Sequence, residues 1–134
     1  PCTKQDIIQN SDFLSIHVQG GERYKDCIKL DDLDKMKKTA FLINTSRGSI
    51  VNEDDLIIAL STNVIAGAGI DAFDVEPLEN DSPLWDMPNV IISPHISAES
   101  KGMHEGRKQI FKDNLRRYIN GDPLEYICDK EAGY

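Results

Sequence analysis

An α/β fold built on a parallel sheet is predicted, and three observations predict it. Short apolar runs alternate with helical patterns along the whole chain. One of those runs, Ala40 to Thr45, is nearly continuous in apolar residues, as a strand covered on both faces must be. And the 134 residues suffice for one domain with a single core, without repeats, low-complexity tracts or obvious linkers.

Taken in order, Thr3 to Gln9 reads as a short helix, with Thr3 as N-cap and Ile7 and Ile8 inward. Phe13 to Val18 is a strand, broken by Gly20-Gly21. Tyr24 to Met36 carries apolar residues at broken helical spacing and predicts two short helical turns. Ala40 to Thr45 is the second strand. Asn52 then caps a helix with Asp54 and Asp55 in its first turn and Leu56, Ile57 and Leu60 inward. Val64 to Phe73 is a third strand, with glycines where another backbone comes close. Val90 to Ser93 is a fourth, stopped by Pro94. Glu99 to Ile119 is a long helix with Met103, Ile110, Phe111, Leu115 and Ile119 on one face, ended by Gly121 and Pro123.

Composition narrows the function classes. The net charge of −8 argues against nucleic acid or an anionic membrane as a partner. No apolar run is long enough to span a bilayer. Cys2, Cys27 and Cys128 are odd in number with no CxxC pair, which suits reduced thiols in a cytoplasm; no metal site is expected. Cys27 and Cys128 read as small core residues. The chain opens at Pro1 without an initiator methionine, as though inside a domain, so a fragment is expected.

Ligands of parallel sheets bind beyond the carboxyl ends of the strands. Just past the four strands stand His17-Val18-Gln19, Thr45-Ser46-Arg47-Gly48, Asp71 to Glu76, and Pro94-His95-Ile96. One arginine, one glutamate and one histidine thus fall on one rim. A guanidinium grips a carboxylate through two parallel hydrogen bonds. An imidazole moves the proton of an alcohol or ketone, and a carboxylate on its other nitrogen fixes the tautomer. The three together would handle a 2-hydroxy or 2-keto acid. The plainer reading gives Arg47 a surface role or an ion pair with Glu53 or Asp54. His17 is expected to satisfy a backbone group, His104 to be solvated and Trp85 to pack a short turn, with contact to substrate or a neighbouring subunit as its lesser alternative.

The stretches INTSRGSIVNEDDLIIAL, AGAGIDAFDVEPL, SPLWDMPNVIISPHIS and NLRRYINGDPLEYI, in this order, resemble the C-terminal part of the D-isomer-specific 2-hydroxyacid dehydrogenases, a group that includes phosphoglycerate and glycerate dehydrogenases. SDFLSIHVQGGERYKDCI resembles the segment before it. The resemblance implies that Arg47 binds the substrate carboxylate, that His95 is the acid/base and that Glu76 supports it. It places Asp71 near the nicotinamide carboxamide, Val18 and Gln19 beside the adenosine, and Thr45 and Ser46 near the nicotinamide ribose or ring. The implied cofactor is NAD, with NADP open, and the implied substrate a small 2-hydroxy or 2-keto acid. Gln19 stands where that family commonly has proline, and Ser97 where glycine or alanine is usual.

No Gly-x-Gly-x-x-Gly phosphate loop is present; Gly67-Ala68-Gly69 lies inside a strand. The expected fold is therefore a partial doubly wound (Rossmann-type) parallel sheet. Residues 1–120 would form the C-terminal half of a nucleotide-binding domain, and 121–134 the start of the return to a substrate domain. The rival within this fold is a non-catalytic nucleotide-sensing module. The Phe13–Val18 strand would have an empty side, so association with a second copy or with the missing part of the chain is expected.

Overall fold

The computed structural model describes residues 2–130. The elements are α1 (Lys4–Asn10), β1 (Phe13–Ile16), α2 (Leu30–Leu33), β2 (Phe41–Asn44), α3 (Glu53–Ser61), β3 (Gly67–Ile70), β4 (Val90–Ile92) and α4 (Lys101–Asn120), with single 3₁₀ turns at Glu22–Tyr24, Gly48–Ile50 and Pro83–Asp86. All four strands are parallel and lie in sequence order. The expected α/β parallel sheet is what forms. The chain divides into two compact units, with the boundary between His95 and Ile96.

In the first unit, Thr3 caps α1 through a reciprocal pair with Asp6, and Asn52 caps α3 by accepting the Asp55 amide hydrogen. The strand register is even: Ile16, Asn44, Ile70 and Ile92 form one row across the sheet. That row and the row of Leu14, Leu42, Ala68 and Val90 share one face. They pack with Ile8 of α1, Leu33 of α2 and Leu56, Ala59 and Leu60 of α3 into a single core. Ile7, expected inward, is instead exposed beside the buried Ile8, because seven residues of helix present only one of two neighbours to the core.

The opposite face departs from the expectation of a doubly covered sheet. Phe13 is 67% exposed and Ile91 77% exposed, and the Phe13 and Phe41 rings stack on each other at 5.6 Å. The strands are also shorter than the apolar runs. Val64 is held by α3, its N–H donating to the Ala59 carbonyl at 2.8 Å, and residues past Ile70 turn into a braced loop. A ladder extends only as far as its neighbours share register.

In the second unit, Ser100 caps α4 and Gly121 ends it in the left-handed region at φ 75°. No residue of α4 is buried, so its apolar stripe stands uncovered. The segment after α4 is strapped back by Asn114, which exchanges two hydrogen bonds with the Glu125 backbone at 2.8 and 2.9 Å. Cys128 is exposed rather than in a core, since it lies in this strap; Cys27 packs against the core of the first unit. His104 stays exposed and pairs with Glu99 at 2.7 Å. Among the described residues no helix is long and apolar enough to cross a membrane.

Candidate functional site

The row Ile16–Asn44–Ile70–Ile92 ends the sheet, so His17, Thr45, Asp71 and Ser93 begin the rim. Every site residue expected from the sequence lies on this rim or in the loops leaving it.

The loop after β3 carries Glu76. Its carboxylate turns back to accept the Phe73 amide hydrogen at 3.0 Å, which closes the loop and aims the other contacts toward β4. The loop after β4 carries His95, whose backbone is in the left-handed region at φ 54°. An L-residue pays for that conformation in steric strain, and such strain gathers where a side chain must be aimed. Here the aim is plain: His95 Nδ1 lies 2.9 Å from both oxygens of Glu76. Nε2 makes no hydrogen bond among the described residues. The His95 contact, helped by the Phe73 amide and the charges of His95 and Arg47, holds the Glu76 carboxyl below its ordinary range, against a smaller opposing effect of burial.

Arg47 leaves the loop after β2. Its stem lies over Gly20, where a Cβ would come within 2.7 Å of Arg47 Cγ. The next residue, Gly48, has no room for a side chain: a Cβ there would sit 1.9 Å from the carbonyl carbon of Phe73. The two loops therefore touch backbone to backbone, which brings Arg47 close enough for its charge to act on Glu76. Arg47 Nη1 donates to the Ser46 carbonyl at 2.7 Å. The guanidinium forms no ion pair among the described residues. The ion pair with Glu53 or Asp54 is not formed, because Glu53 accepts the Asp74 amide hydrogen instead. Burial of Glu53 pushes its carboxyl up.

The residues expected at the cofactor fall into two groups. Asp71 is buried and accepts the Ser93 hydroxyl at 2.6 Å. Thr45 and Ser46 are half-buried on the rim, and the Ser46 hydroxyl donates to the Val18 carbonyl, tying the end of β2 to the end of β1. Val18 and Gln19 are exposed past β1. His17 bonds the Ser15 hydroxyl at 2.8 Å rather than a backbone group, since alternate residues of an edge strand lie on one face.

Two residues of the site, Asn44 and Ser93, were not expected from the sequence. Asn44 is a buried amide at the end of an apolar run, and that single polar residue was the available signal. Ser93 holds Asp71. Trp85, pinned by its indole N–H to the Glu79 carbonyl at 2.8 Å, walls a cleft of about 360 Å³ with Phe73, Pro77, Leu78, His95 and Glu76. Among the described residues no group of three His, Cys, Asp or Glu side chains is placed to hold a metal ion.

Comparison with known proteins identifies the family of the chain. A glyoxylate reductase of Korarchaeum cryptofilum is 36% identical over 126 residues, 94% of this chain and 38% of that protein. A glyoxylate/hydroxypyruvate reductase B of Pectobacterium carotovorum is 39% identical over 131 residues, 98% of this chain and 41% of that protein. The chain thus spans about two fifths of the length of these relatives. Among solved structures, the NADPH-dependent glyoxylate/hydroxypyruvate reductase of Sinorhizobium meliloti, in complex with NADP and sulfate, superposes with a TM-score of 0.84 at 29% identity, over 98% of this chain and 42% of that one. Residues 1–97 match the model of the D-isomer specific 2-hydroxyacid dehydrogenase NAD binding domain, more than half of the chain, and the chain belongs to that family.

Proposed function

We propose that the protein carrying this chain interconverts a small 2-keto acid and its D-2-hydroxy acid with a nicotinamide cofactor. The observation that carries the reading is the His95–Glu76 pair beside an arginine without an ion pair among the described residues, at the carboxyl ends of a parallel sheet. Arg47, which forms no ion pair among the described residues, receives the substrate carboxylate. Glu76 accepts from Nδ1, so the mobile proton of His95 sits on Nε2 and passes to the carbonyl oxygen during reduction. Glu76 also favours the imidazolium that must give up that proton. The relatives named for glyoxylate and hydroxypyruvate support substrates of that size.

A nicotinamide held at this rim supplies or receives the hydride. The residues present fit its nicotinamide side. Asp71 offers a carboxylate to a carboxamide, Thr45 and Ser46 offer hydroxyls to a ribose, and Val18 and Gln19 an open wall to the adenosine. The described residues include no glycine-rich turn opening a helix to take the pyrophosphate. Residues 1–120 are therefore read as the second half of the nucleotide-binding domain and 121–134 as the start of the return segment. The isolated chain is expected to bind NAD weakly or not at all and to be inactive. Micromolar NAD affinity of the isolated chain by calorimetry would contradict this.

The deciding experiment is NADH and NADPH oxidation by the intact enzyme with glyoxylate, pyruvate and hydroxypyruvate. Turnover that His95→Gln abolishes supports the reading. Cofactor binding without oxidation by any of the three would instead indicate a nucleotide sensor.

A further inference from the structure

Asn44 occupies a place in the sheet that the sequence otherwise gives to isoleucine. Its row partners are Ile16 and Ile70, with Ile92 beyond, all on the face covered by helices. Asn44 is 2% exposed, and with Asp71 it is one of two buried polar or charged side chains among the described residues. A primary amide taken out of water at that depth is unfavourable unless its hydrogen bonds are replaced. Both replacements go to one loop. Oδ1 accepts the Ser46 amide hydrogen at 3.1 Å, and Nδ2 donates to the Arg47 carbonyl at 3.0 Å.

The two bonds bracket the peptide between Ser46 and Arg47, and so fix the direction in which the Arg47 side chain leaves the backbone. Neighbouring contacts complete the clamp. The Ser46 hydroxyl reaches Val18, Gly48 abuts Phe73, and the Asn44 carbonyl accepts the Asp71 amide hydrogen at 2.9 Å. A guanidinium that forms no ion pair of its own needs such an external frame to stay aimed at a ligand. An isoleucine would fill the row and strand both loop groups. An aspartate would keep the shape and the Ser46 bond, but lose the donor to the Arg47 carbonyl and set a charged oxygen against that carbonyl instead.

We propose that Asn44 is a positioning residue for Arg47, setting the carboxylate grip of the site through the loop backbone without touching the substrate. The proposal rests on the reading of Arg47 as the carboxylate anchor. It is tested in the intact enzyme with Asn44→Asp, Asn44→Ala, Arg47→Lys and the Asn44→Asp/Arg47→Lys pair, measuring KM and kcat for the 2-keto acid. Asn44→Asp should raise KM about tenfold with a smaller fall in kcat, as expected for lost binding shared by ground and transition states. In the Arg47→Lys background the same change should raise KM less than threefold, because the group it positions is already altered. Equal effects in both backgrounds overturn the proposal and leave Asn44 a packing residue. A KM untouched by Arg47→Lys overturns the underlying reading instead, so the two failures are distinct. Should the Asn44 variants not fold, hydrogen exchange in the unaltered enzyme decides. The Ser46 amide should be protected to the level of the β2 amides although it lies in a loop, and rapid exchange there counts against the clamp.

Discussion

Nδ1 of His95 sits equidistant, at 2.9 Å, from the two carboxylate oxygens of Glu76, although the residues belong to loops after different strands. On the proposed reading, the contact leaves Nε2 to carry the proton exchanged with substrate. In the intact enzyme His95→Ala should lower turnover by roughly 10²–10⁴. Glu76→Gln, which keeps a hydrogen-bond acceptor but not the charge, should lower it less. The kcat values of the two variants against unaltered enzyme check this order.

The same pair sets a pH dependence of stability. Contact with His95 depresses the folded-state pKa of Glu76, so the ionised carboxylate is favoured by folding. Its contribution is present above the unfolded value of about 4.3 and is lost as pH falls through the depressed folded value. Unaltered protein should be more stable than Glu76→Gln near neutrality, and the gap should close in acid. Urea unfolding of both across this range measures it; a gap that persists in strong acid would mean that the contact acts by packing alone.

Arg47→Lys keeps the charge and removes the planar fork. It should raise KM for the keto acid by about tenfold or more while kcat changes less. Steady-state kinetics against keto-acid concentration would expose the opposite pattern, a fall in kcat at constant KM, which belongs to a proton-transfer residue.

Among the described residues strand β1 pairs only with β2, and its first residue, Phe13, is largely exposed. An edge of this kind recruits another strand. The isolated chain should self-associate with rising concentration, and Phe13→Lys should reduce that association. Sedimentation of both forms tests it; a dilute monomer with strongly protected β1 amides would show the edge to be already covered.

The fold could be read in the sequence because strand and helix patterns are local. Phe41 to Asn44 and Val90 to Ile92 announce themselves by composition, and Thr3 and Asn52 by cap chemistry. The rim followed from the rule that parallel sheets bind ligands at their carboxyl ends, so Arg47, Glu76 and His95 were named together. What stayed hidden was non-local. The Ser93–Asp71 bond, the Asn44 clamp and the His17–Ser15 pair depend on register or on which way a loop turns, and no window of sequence carries that. The open sheet face was hidden for another reason: an apolar strand looks the same whether or not a partner covers it.

Gly48 has a consequence at the level of the gene. Each amino-acid replacement that one base change can make in a glycine codon introduces a Cβ atom. At this position that atom would lie 1.9 Å from a backbone carbon of the neighbouring loop, a distance that side-chain adjustment cannot relieve. The Gly48 codon therefore has no missense neighbour that leaves this loop contact undisturbed. Allelic variation in active copies should be scarce there, since each substitution must move one of the two loops that carry Arg47 and Glu76.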